Sequence, residues 1–181
     1  MKTACVLLAD GFEEVEAVTP IDYLRRAGVD VKTIGVTGKT VASARGIRME
    51  ADLGAEGFSK DFDCVVVPGG GRGAGNLAAS PRVSFLIKRH FEAGKLVAAI
   101  CAAPAVVLHG SCGILAGRRF TCFPGLEAKV PDASFSEERV VADGNLITSR
   151  AAGTAGEFAR AIVAKLVGEE AAAKLATEVL L

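Results

Sequence analysis

A cysteine placed directly after a run of small apolar residues is the part of this sequence best suited to chemistry. In LVAAICAAP, residues 96–104, Leu96 to Ile100 read as a buried strand, Cys101 follows at once, and Ala102 to Leu108 read as a helix. A strand-to-helix turn of this kind, a nucleophile elbow, lifts the side chain above the sheet edge. It aims the sulfur at helix N–H groups, whose positive end favours thiolate over thiol. Cysteines so placed titrate at about 3.5–7.5, which predicts a sulfur largely ionised at neutral pH. Ala102 and Ala103 leave it accessible, and Pro104 suits a first helical turn because its missing N–H would have no partner there. The same residues also fit an inert buried cysteine, and the stretch by itself leaves both readings open.

Two other features could serve that sulfur. Glu16 lies on the face of a predicted helix (about Phe12 to Ala27) near its apolar stripe of Ala17, Val18, Ile21 and Leu24. A carboxyl there is partly buried and can hold its proton, as a donor to a nearby anion must. Pro20, four residues on, cannot donate to the Glu16 carbonyl, which predicts a bend. Glu13 and Glu14 read as ordinary helix N-terminal charge. Pro68-Gly69-Gly70-Gly71 ends the predicted strand Asp63 to Val67 in a loop whose backbone N–H groups can approach a ligand. It lacks the lysine and serine or threonine of a phosphate loop, so an oxyanion cradle beside Cys101 is the better functional reading and a plain turn the alternative.

The elements that must position these residues alternate in type. Thr3 to Ala9, Asp30 to Val36, Asp63 to Val67 and Leu96 to Ile100 read as strands, and Lys39 to Glu50 as an antiparallel excursion. Ala74 to Ala79 and Pro81 to Ala93 read as helices, Arg119 to Cys122 as a short strand, and Lys129 to Phe135 mostly as coil. Arg139 to Ala142 and Leu146 to Thr148 form a hairpin across Asp143-Gly144. Thr154 to Glu157 fits a capping box opening a helix to Leu166, and Glu169 to Val179 makes a last helix. Strands alternating with helices predict an α/β fold in which neighbouring parallel strands bring their ends, and so these loops, to one edge.

The 181 residues suffice for one domain, 1–181, without repeat or linker. Lys+Arg and Asp+Glu both number 21, so nothing electrostatic favours nucleic acid or an anionic membrane. No apolar run approaches the roughly 20 residues of a membrane span, and the N-terminus lacks a signal-peptide cleavage pattern. Five cysteines, odd in number and without a CxxC pair, fit free thiols in a reducing cytoplasm better than a disulfide framework or a zinc site. His90 and His109 lack partners at metal-ligand spacing, and neither a metal nor a cofactor is expected.

With Glu16, PGG at 68–70 and AICAAP at 99–104, the chain resembles the DJ-1/ThiJ/PfpI superfamily, most closely its DJ-1/YajL branch. The likeness runs from ADGFEEVEAVTPIDYLRRAG to DGNLITSRAAGTAGEFA and covers nearly the whole chain. The resemblance implies a flavodoxin-like three-layer sandwich with a mostly parallel central sheet and a homodimer. It also implies a reactive Cys101 that oxidises to sulfinic acid, Glu16 as its protonated partner, and Gly69, Gly70 and the Ala102 N–H lining the site. Arg26 and Arg45 fall where it would put arginines near the pocket. Roles implied are glyoxalase or deglycase activity on methylglyoxal, glyoxal and their thiol and amine adducts, protection against oxidative stress, and a chaperone-like function.

The DJ-1 pattern carries a histidine where this chain has Phe123, and Ala102 stands where the protease-like and amidotransferase-like relatives recruit a histidine. Both departures argue against protease or amidotransferase activity. The leading reading is a cysteine-dependent enzyme acting on dicarbonyls. The alternative is a non-enzymatic redox sensor or chaperone that uses Cys101 oxidation.

Overall fold

The computed structural model describes Met1–Leu181, and its centre is a six-stranded sheet. The chain forms β1 (Thr3–Leu8), α1 (Glu14–Arg26), β2 (Asp30–Gly35), and a small hairpin of β3 (Thr40–Ala42) and β4 (Arg48–Glu50). Then come β5 (Cys64–Val67), α2 (Gly71–Ala78), α3 (Pro81–Glu92) and β6 (Leu96–Ile100). The remainder holds β7 (Arg119–Phe120), β8 (Ser134–Phe135), β9 (Val140–Asp143), β10 (Leu146–Ser149), α4 (Ala155–Leu166) and α5 (Glu169–Val179). The order in the sheet is β2-β1-β5-β6-β10-β9, parallel except for the β10–β9 hairpin.

β1, β5 and β6 are central and covered on both faces, which is why their sequences are almost wholly apolar. Alternate residues feed two separate cores. Leu7, Val65, Val67, Val97 and Ala99 pack under α2 and α3, while Val6, Leu8, Val66, Ala98 and Ile100 pack under α1, α4 and α5. These three layers make the fold flavodoxin-like. The period of two also separates Cys5 from Cys64, which lie on neighbouring strands but on opposite faces of the sheet.

The strand order changes direction between β1 and β5, with α1 on one face and α2 on the other. In open α/β sheets that crevice at the carboxyl ends of the strands is where ligands bind. Glu16 enters it from α1, Gly69 and Gly70 from the end of β5, and Cys101 from the end of β6.

Local differences from the sequence reading have physical causes. The helix expected from Ala102 is a short, wide π-type turn over Pro104–His109, closed by i→i−5 bonds from Gly110 N–H to the Ala105 carbonyl (3.1 Å) and from Cys112 N–H to the Val107 carbonyl (3.0 Å). The capping box at Thr154–Glu157 does not form. The Thr154 hydroxyl turns to Ala151 and Ser149, and Glu157 pairs with Arg139 at 2.8 Å.

Candidate active site

Cys101 has φ +65°, left-handed backbone that costs a non-glycine residue about 1–2 kcal/mol. Both of its peptide groups are tied down: its N–H donates to the Ser149 carbonyl (2.9 Å) and its carbonyl accepts the Phe123 N–H (2.8 Å). The surrounding sheet thus over-determines the turn, as expected where strain serves a site.

Glu16, only 1% exposed, lies beside the Cys101 thiol, and its Oε2 accepts the Gly69 N–H at 2.9 Å. The Ala152 N–H lies near the same carboxyl, and the Gly70 and Ala102 N–H groups lie near the sulfur. Glycine is required at both loop positions. A Cβ on Gly69 would lie 2.6 Å from Glu16 Oε2 and 2.7 Å from Cys101 Cβ, and Gly70 has φ +86° with the Glu13 amide nitrogen 2.8 Å from where its Cβ would be.

Burial pushes the Glu16 carboxyl up to about 7, with the neighbouring Cys101 thiol and the Gly69 and Ala152 N–H groups opposing that rise. The Cys101 thiol is pushed up to about 12 by burial first, then by the Glu16 carboxyl beside it. This corrects the expectation of a standing thiolate. The six-residue turn after Cys101 supplies little dipole, and the amides of Gly70 and Ala102 do not offset desolvation beside a carboxylate. Cysteine and glutamate instead share a proton, with Glu16 the group that titrates near neutrality.

Three further placements differ from the sequence reading. The Gly69 N–H is committed to Glu16, so it is not a free donor to a bound oxyanion; Gly70 and Ala102 are the amides at the sulfur. Arg26 stands at the opposite end of α1 from Glu16, about 15 Å along the axis, where it pairs with Asp22 (2.8 Å) and Glu178 (2.6 Å). That distance takes it out of the pocket. Arg45 lies exposed on the β3–β4 turn, without an ion pair, and the neighbouring Ala44 N–H holds this turn to the Phe12 carbonyl (2.7 Å) at the site's edge.

Phe123 is beside Cys101 through its N–H and is 46% exposed, whereas Cys122 is fully buried with its thiol on the Phe123 carbonyl at 3.5 Å. Of the five cysteines, Cys101 alone is partly exposed. Sequence reasoning missed the segment after β10, where the Ser149 carbonyl holds the Cys101 N–H. Its signal was a strand ending at the same sheet edge and running into the small residues AAGT.

A flavodoxin-like sandwich with a left-handed cysteine at the β6 elbow, paired with a buried glutamate, defines the class of protein. Residues 2–165 match the model of the DJ-1/PfpI family, and the chain belongs to that family. It is 41% identical to the Parkinson disease protein 7 homolog of Danio rerio, over 99% of this chain and 97% of that protein. To the glutathione-independent glyoxalase DJR-1.2 of Caenorhabditis elegans it is 35% identical, over 93% of this chain and 91% of that one. A match to the protein DJ-1 homolog B of Arabidopsis thaliana, at 44% identity, covers 91% of this chain but only 38% of the plant protein's length. The crystal structure of a DJ-1 superfamily protein from Salmonella typhimurium superposes with a TM-score of 0.95, at 41% identity, over 99% of this chain and 98% of that one.

Proposed function

We propose that this protein is a cysteine-dependent glyoxalase that converts methylglyoxal to lactate, acting also as a deglycase on the early thiol and amine adducts of such dicarbonyls. The observation that carries the reading is the buried Glu16 carboxyl set beside the Cys101 sulfur. The relative named as a glyoxalase supports the same reaction class.

On attack, Glu16 carboxylate takes the thiol proton as the sulfur lone pair adds to the aldehyde carbon. The carbonyl oxygen, stabilised by the Gly70 and Ala102 amides, then receives that proton to give a hemithioacetal. Glu16, again a carboxylate, removes the hydrogen of the former aldehyde carbon as a proton to give an enediol, exchanges that proton with solvent, and protonates the neighbouring carbon. The result is a lactoyl thioester on Cys101. Water cleaves the thioester, releasing lactate and the thiol. The sum is methylglyoxal plus one water, and no oxidant or cofactor is consumed. A carboxyl that titrates at about 7 can act as acid and as base at neutral pH. Phe123 can do neither, so the whole proton traffic falls to Glu16 and turnover is slow.

The test is lactate formation over many turnovers by the intact protein and by Cys101→Ser. Turnover that is lost in the variant supports the enzyme. One equivalent of trapped methylglyoxal without lactate favours the sensor or chaperone reading, in which oxidation of Cys101 is the event. The working form is a homodimer in a reducing compartment. Val15 and Val18, exposed one helical turn apart on α1, and Ile47 on the β3–β4 turn supply apolar surface for a second copy. Light scattering of the parent and of Val18→Asp tests this: a monomeric parent contradicts it.

A further inference from the structure

One side of α3 turns away from the core and borders a cavity shared with the short helical turn Ala55–Ser59. Val83, Leu86, Ile87 and His90 of this helix are buried, while Pro81, Arg82, Phe85 and Arg89 recur at the three- and four-residue spacing of a single outer stripe. Between that stripe and Ala55 and Phe58 lies an open cavity of about 510 Å³. Cavities of this size hold small ligands. None of its residues belongs to the site around Cys101.

The lining combines two kinds of chemistry. Phe85, 63% exposed, forms an apolar wall with Phe58, Ala55 and Pro81. A lone exposed phenyl ring needs no explanation, but this one bounds a cavity and carries the Arg89 guanidinium 5.7 Å from its centre. Arg89 is held by the Lys60 carbonyl (2.6 Å) and by Asp61 (3.2 Å), and its Nε, shut off from water, has no hydrogen-bond partner. Arg82 forms no ion pair. It stands in the first turn of α3, which contains no acidic residue, so its charge opposes the positive end of its own helix. The carboxylates of the facing segment are engaged elsewhere, Asp61 with Arg89 and Glu56 with the Gly54 N–H (2.9 Å). An aromatic wall is thus joined to a guanidinium that no carboxylate of the chain neutralises.

We propose that this cavity is a second binding site, for a small planar aromatic carboxylate whose ring packs against Phe58 and Phe85 and whose carboxylate pairs with Arg82. A guanidinium fork matches a carboxylate at two points, and phenyl rings favour a second ring in offset or edge contact. The anion would also relieve the unfavourable placement of Arg82 at the helix end. A bare phosphate would meet the charge and leave the wall unused; a neutral aromatic would do the reverse. The proposal concerns binding alone and is independent of the Glu16–Cys101 chemistry.

The experiment is a titration of nitrogen-15-labelled intact protein with 2-naphthoate, read by backbone amide NMR. Saturable shifts are expected at residues 55–59 and 81–89, with a Kd of about 1 mM, as suits a ligand of this size. Arg82→Gln and Phe85→Ala change exposed side chains and spare the buried face of α3, and each should weaken binding about tenfold. On the parent, 2-naphthalenemethanol, which has the ring without the charge, should also bind about tenfold more weakly. Absence of saturable shifts at these residues up to ~10 mM naphthoate would overturn the proposal, as would equal binding by Arg82→Gln or by inorganic phosphate. Shifts at the same residues that follow protein concentration without naphthoate would show a second copy covering this face, and would overturn it too.

Discussion

Replacing Glu16 by glutamine should make the protein's stability respond to pH in a way that the parent's burial of a carboxyl dictates. In the folded chain this carboxyl titrates at about 7 rather than 4.5. Below about pH 4.5 it is protonated whether the chain is folded or not, and it contributes nothing to the pH dependence. Between about 4.5 and 7 the unfolded chain ionises while the folded one retains its proton. The stability associated with the protonated carboxyl is therefore lost as pH rises, and above 7 the full cost of a buried charge is present. At ~1.36 kcal/mol per pH unit the displacement from 4.5 to about 7 is worth about 3 kcal/mol. Glutamine carries no titratable proton, so the stability of Glu16→Gln minus that of the parent should climb by about 3 kcal/mol from pH 4.5 to 7.5. Constant losses, such as a weakened bond from the Gly69 N–H, shift this difference by a fixed amount without changing its slope. Urea unfolding of both proteins at half-unit steps, kept below pH 8 so that the thiols stay silent, measures it. A difference flat within about 0.5 kcal/mol across that range would mean that the carboxyl is hydrated, and the argument for a shared proton would fall.

Elsewhere, His90 is 1% exposed, accepts the Phe62 N–H on Nε2 (3.0 Å) and is bonded to the Leu86 carbonyl through Nδ1 (2.8 Å), so burial holds its pKa below the usual value. Its contribution is present above about pH 6.5 and is lost as pH falls further, so thermal unfolding of His90→Gln should lose less between pH 7 and 5 than that of the parent. Gly69→Ala forces a Cβ to within 2.7 Å of both Glu16 and Cys101, and should cost about 1–3 kcal/mol and slow Cys101 alkylation, read by mass spectrometry. Phe123→His should raise lactate turnover about tenfold, with little loss in melting temperature because the ring is half exposed; an unchanged rate places residue 123 outside the chemistry.

Much of this was legible in the chain. The apolar runs of β1, β5 and β6, the Asp143-Gly144 hairpin and the elbow at Cys101 are local patterns, and local patterns survive into the structure. What escaped depends on contacts between distant segments. The state of the thiol is set by burial and by a glutamate 85 positions away, neither of which spacing reveals. The Gly69 amide faces inward to Glu16 because α1 crosses the end of β5, and Arg26 is remote because a regular helix carries it to the other end of the sheet. Thr154 and Glu157 match a capping box, yet the hydroxyl finds better partners in Ser149 and Ala151, which only the fold brings within reach.

The most direct measurement of the central claim is lactate production from methylglyoxal in deuterium oxide, followed by proton NMR. Proton shuttling by Glu16 exchanges with solvent, so lactate should accumulate far beyond one equivalent of protein and carry deuterium on the carbon bearing the hydroxyl. None should form with Cys101→Ser. Lactate free of deuterium would contradict proton exchange through Glu16, and lactate that stops at one equivalent, or that Cys101→Ser also makes, would contradict catalysis by this pair.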